Sequence, residues 1–96
     1  MSRQYVIAIE GGSKELRDAI TRRLAGAGYG YWHWMEDVWL VSGVPDDVTP
    51  QTMSEWLEKT PYFANTHCLI IRVGTPTSYW GRNVKDSWEW MSKNWK

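Results

Sequence analysis

The chain predicts an α+β fold in one domain, and three observations point there. Short β-branched and aromatic runs alternate with stretches of helical apolar spacing that open on capping residues. Two of those runs are parted only by Glu36-Asp37, as the arms of a hairpin are. Ninety-six residues leave room for a single domain spanning residues 1–96.

Gln4–Glu10 is apolar on both faces and closes on Gly11-Gly12, which predicts a central strand. Ser13 is placed to cap a helix whose Leu16, Ala19, Ile20, Leu24 and Ala27 recur at helical spacing, with Gly26 and Gly28 at its end. Tyr29–Met35 and Val38–Gly43 predict a hairpin. With a two-residue turn, Trp34 faces Trp39 and Trp32 faces Val41 on one side. His33 with Leu40, and Met35 with Val38, then share the other side. Both faces are rich in large apolar groups, and a second apolar face needs a cover. Thr49-Pro50 opens a helix with Met53, Trp56 and Leu57 inward, stopped by Thr60-Pro61. His67–Val73 predicts the last strand and 74–82 a loop. Asn83 is the expected cap of a final helix striped by Val84, Trp88, Met91 and Trp95, with Trp90 one position off the stripe. The first six elements follow the split βαβ order. The expected architecture is therefore a ferredoxin-like βαββαβ antiparallel sheet with helices on one face, plus a C-terminal helix.

Composition narrows the function. Lys plus Arg and Asp plus Glu balance at 11 each, so the basic excess of a non-specific nucleic-acid binder is missing. The charges are segregated: residues 31–58 carry six acidic groups and no Lys or Arg, while Arg72, Arg82, Lys85, Lys93 and Lys96 crowd the C-terminal third. Cys68 is the only cysteine and no apolar run approaches a membrane span, so the expected setting is cytoplasmic, with no membrane partner. Eight Trp are the most unusual feature. Trp39, Trp56, Trp88 and Trp95 read as core.

The run Trp32-His33-Trp34-Met35-Glu36-Asp37-Val38-Trp39-Leu40-Val41, the ending Tyr79-Trp80-Gly81 and the helix from Trp88 to Trp95 resemble a known group. They are similar to the SinR-like relatives of the small ferredoxin-fold subunit of the CRISPR adaptation complex. That resemblance implies a ferredoxin-like homodimer and, for some members, metal-dependent nuclease activity or duplex DNA binding. Glu10 stands where the family's first strand ends in Asp.

Glu10 is the one catalytic candidate, as a metal ligand or base; otherwise it is an ordinary strand-end carboxylate. Gly11, Gly12, Ser13 and Lys14 sit between a strand and a helix N-terminus, where amides and an ammonium can meet a phosphate, although the P-loop spacing is missing. Tyr79 and Trp80, beside Arg82, are expected to stack a planar ring or anchor a protein interface. His33, His67 and Cys68 lack zinc-site spacing, so no metal is assigned. Tyr31, His33, Met35 and Leu40 form the expected interface face. The leading expectation is a non-enzymatic binding module without a cofactor, a homodimer holding a nucleotide, a short nucleic acid or a protein partner. One alternative is a nuclease using Mg²⁺ at Glu10; another is a structural subunit of a larger assembly.

Overall fold

The computed structural model describes residues 2–60, 63, 66–74 and 82–95. It is an α+β domain with a four-stranded antiparallel sheet and three helices, in the order β1 (Ser2–Ile9), α1 (Lys14–Gly26), β2 (Gly30–Met35), β3 (Val38–Pro45), α2 (Pro50–Glu58), β4 (Cys68–Val73) and α3 (Lys85–Asn94). The strands lie in the order β2-β3-β1-β4, so β1 is central as its two apolar faces require.

Local chemistry places α1 and α2. The Ser13 hydroxyl accepts from the Leu16 amide at 3.1 Å, and Leu16, Ala19, Ile20 and Leu24 are buried, whereas Ala27 is exposed. Thr49 caps α2 in a reciprocal box with Thr52, Pro50 opens the first turn, and Met53 and Leu57 are buried. Both helices cover the sheet face that carries Tyr5, Ile7, Ile9, Trp39 and Val41. With Phe63 these residues form the main core. The Tyr5 hydroxyl donates to the Val48 carbonyl at 2.7 Å, and the Trp39 indole donates to Thr21 Oγ1 at 3.1 Å, so neither polar tip is buried unpaired.

The opposite face belongs to α3. Leu40, Met91 and Trp95 form a second cluster, flanked by Val6, Trp34, Val73, Trp88 and Trp90. Three hydrogen bonds pin the helix: Trp32 Nε1 to Ser87 Oγ at 2.7 Å, Asn83 Nδ2 to the Trp34 carbonyl at 2.6 Å, and Gln4 Nε2 to the Asn94 carbonyl at 3.1 Å. Helices thus lie on both faces, and the apolar second face of the hairpin is covered by its own chain.

Two β-bulges decide these faces. In β2 the register runs Trp32 with Leu40, then Met35 with Val38, so His33 and Trp34 together oppose Trp39. The expected pairings of Trp34 with Trp39 and Trp32 with Val41 do not form. His33 stacks flat on Trp39 at 4.4 Å and Tyr31 packs against the main core, while Trp34 turns to the other face and meets Trp88 edge-on at 5.3 Å. The second bulge sets Ser42 and Gly43 against Gln4, and Gly43 adopts φ +75°, a conformation that favours glycine.

The α3 stripe is also rotated from its expected phase. Ser87, Met91 and Trp95 are buried, Val84 is 64% exposed, and Val84 rather than Asn83 holds the N-cap position. Trp90 is half-buried, its ring 6.3 Å from that of Trp32, because the bulge brings Trp32 round to that side.

Candidate functional site

The Gly11–Lys14 turn, expected to hold a phosphate, already faces an anion from its own chain. Asp37, in the hairpin turn, accepts from the Gly12 amide at 3.4 Å and lies 3.3 Å from Arg17 Nη1, which also donates to the Gly12 carbonyl at 2.6 Å. A Cβ at Gly12 would stand 2.7 Å from Asp37 Oδ1, which explains the glycine. Ser13 spends its hydroxyl on the helix cap. Lys14 turns along the helix to Asp18, Nζ to Oδ2 at 2.8 Å. That hydrogen bond raises the lysine pKa and lowers the aspartate's. Backbone donors at a helix start are here neutralised internally.

Glu10 leaves the end of β1 into solvent. Its carboxylate lies 3.3 Å from His67 Nδ1, with the two side chains 81% and 88% exposed, and its amide donates to the His67 carbonyl at 3.1 Å. Cys68 follows, also exposed, and these residues with Ala8, Ile9 and Leu69 border a shallow cleft of about 280 Å³. Among the described residues no three His, Cys, Asp or Glu side chains converge to hold a metal. His33 lies elsewhere, its Nε2 2.5 Å from the Glu36 carbonyl.

Arg82 is exposed ahead of α3, whereas Tyr79 and Trp80 lie outside the described residues. The expected interface set is divided. Tyr31 and His33 belong to the α1–α2 side and Leu40 is buried under α3. Only Met35, 57% exposed, is an open large apolar group. The physical reason is the bulge at His33-Trp34, which moves part of the hairpin out of the simple alternation.

Apolar exposure lies instead at the two ends of the α3 side of the sheet, at Met35 and along β4. Met35, Val38, Ala8 and Leu69 are successive partners across the four strands, as are Trp32, Leu40, Val6 and Ile71 in the next row. The α3 helix covers Leu40 and packs Val6 in the second row, but Leu69 is 60% and Ile71 47% exposed. A second feature is a cleft of about 480 Å³ between α1 and α2, bordered by Ala19, Arg22, Arg23, Gly26, Ala27 and Trp56. In the sequence, Arg22 and Arg23 read only as the polar side of a helix; their approach to Trp56 depends on how the two helices pack.

No family model, no curated protein and no solved structure matches the chain.

Proposed function

We propose that the chain is a small non-enzymatic binding module of ferredoxin-like architecture that works as a homodimer through the outer edge of β4. The observation that carries this is that β4 is an edge strand among the described residues and carries exposed Leu69 and Ile71. Sheet edges are usually protected by bulges, Pro, Lys or a covering segment. The β2 edge has a bulge, and Asn83 and Trp90 pack beside it. β4 has neither Pro nor Lys and its register with β1 is unbroken from Cys68 to Val73, so exposed Arg72 is the one charged group on the strand.

A second copy suits this edge. A two-fold axis perpendicular to the sheet keeps each face on its own side, so Leu69 and Ile71 of both copies would join into one apolar strip. The formal net charge of zero adds no long-range repulsion. A binding role rather than a catalytic one is supported by the openness of the Glu10–His67 pair, since catalytic groups gain from a desolvated setting.

Sedimentation of the pure protein is expected to give a concentration-dependent dimer. Leu69→Lys combined with Ile71→Lys is expected to give a monomer with an unchanged circular dichroism spectrum. A monomer throughout, or a dimer indifferent to both lysines, would end this proposal.

A second reading rests on the position of Glu10 at the end of β1, a Mg²⁺-dependent nuclease like the resembled CRISPR subunits, with Glu10 as ligand or base. It predicts cleavage of RNA or DNA that requires the metal and vanishes in a folded Glu10→Gln variant. Cleavage that persists in that variant would exclude the role.

A further inference from the structure

We infer that the cleft between the C-terminal half of α1 and the end of α2 binds a nucleoside monophosphate, the guanidinium groups taking the phosphate and Trp56 the base. This deepens the binding-module reading by naming its ligand and does not depend on the dimer. Arg23 lies over the Trp56 ring, its guanidinium carbon 4.5 Å from the centroid, and Nη2 donates to the Trp56 carbonyl at 2.6 Å. The group is thereby held rigid, which lowers the entropy lost on gripping a phosphate. Arg23 Nε is buried and makes no hydrogen bond. That nitrogen is shielded from the cleft, so a phosphate would be met by the Nη donors of Arg23.

Arg22 stands exposed on the rim, one residue away. Among the described residues neither guanidinium has a carboxylate within 4.0 Å, in contrast to Arg3, Arg17, Lys14 and Lys85. Two cations without a direct carboxylate contact therefore share one cleft, with Asp18, one turn before Arg22, in the field of Arg22. Ala19, Gly26 and Ala27 keep its α1 wall low, and the aromatic wall is Trp56, itself braced edge-on by Tyr29 at 5.8 Å. The volume, about 480 Å³, lies within the ordinary range for small-ligand pockets. Arg23 covers one face of the indole, so the base would stack on the other, in a manner tolerant of base identity.

Calorimetry with AMP, adenosine and inorganic phosphate tests the site on the intact protein. Saturable binding of AMP is expected, weaker binding of inorganic phosphate, and none of adenosine. Arg22→Glu, at an exposed position that folding tolerates, should weaken AMP roughly tenfold or more, as the loss of a charge-assisted contact does. Gly26→Leu should narrow the cleft as well, because Gly26 borders it and a Cβ there meets nothing within 4 Å. Trp56→Leu should erase the advantage of AMP over phosphate. Sedimentation of Arg22→Glu should match the parent, which separates failure here from failure of the dimer. No saturable AMP binding, or AMP binding indifferent to Arg22→Glu and Gly26→Leu, would overturn the assignment.

Discussion

The two faces of the sheet are closed by different means. On one, α1 and α2 lay down aliphatic side chains against Tyr5, Ile7, Trp39 and Val41, all of them fully buried. On the other, one ten-residue helix supplies Met91 and Trp95 and relies on aromatic pairs, Trp34 with Trp88 and Trp32 with Trp90, to widen its footprint. The first face is sealed over β1 and β3, and its exposed positions, His33 on β2 with Cys68 and Arg72 on β4, are polar or small. The second is sealed only beside α3, and Met35, Leu69 and Ile71 are left open. A single helix about 10 Å wide is too narrow to cover four strands spaced at nearly 5 Å. The lesson is that surplus tryptophans extend a narrow cover without completing it.

Substitutions can break that contrast, starting with the largest effect. Trp39→Ala should cost about 3–5 kcal/mol in urea unfolding, since the ring is wholly enclosed and His33 stacks on it. Met91→Ala, at the centre of the α3 cluster, should cost about 2–3 kcal/mol. Equal losses at the two sites would show that both faces are cored alike. Trp90→Ala should cost about 1–2 kcal/mol, less than either, because its ring is only half-buried, beside Trp32 at the margin of the α3 cluster. A cost near zero would mean that the rings do not extend the cover.

The smallest effect concerns pH. Burial, with lesser pushes from Asp47 and Tyr5, raises the Tyr29 hydroxyl above its ordinary 10.0. The folded state therefore prefers the protonated phenol. That preference contributes fully below the unfolded value and is lost as pH climbs through the raised folded one. Tyr29→Phe should lose less stability than the parent between about pH 9 and 11, measured by urea midpoints. Parallel curves would place Tyr29 in water.

Much of the fold was legible because its signals are local. Ser13 and Thr49-Pro50 announce α1 and α2 within a few residues, and both caps form as expected. The candidate site was less legible. Gly11-Gly12-Ser13 reads as a phosphate turn until Asp37 arrives from the hairpin, 25 residues on in the chain. The Arg23–Trp56 stack joins two helices and leaves no mark in either one's spacing. Trp90 seemed misplaced on its helix only because the turn of Trp32 toward it was invisible.

Alternation, spacing and capping in the sequence alone determined the element order, the central place of β1 and the buried sides of α1 and α2. These depend on contacts between near neighbours and on a fixed period. Packing between distant segments set the bulge at His33-Trp34, the side of the sheet that α3 takes and the exposure of Met35, Leu69 and Ile71. One extra residue in a strand reverses which way the following side chains point, and whether it is accommodated depends on the energy of packing distant parts of the chain together.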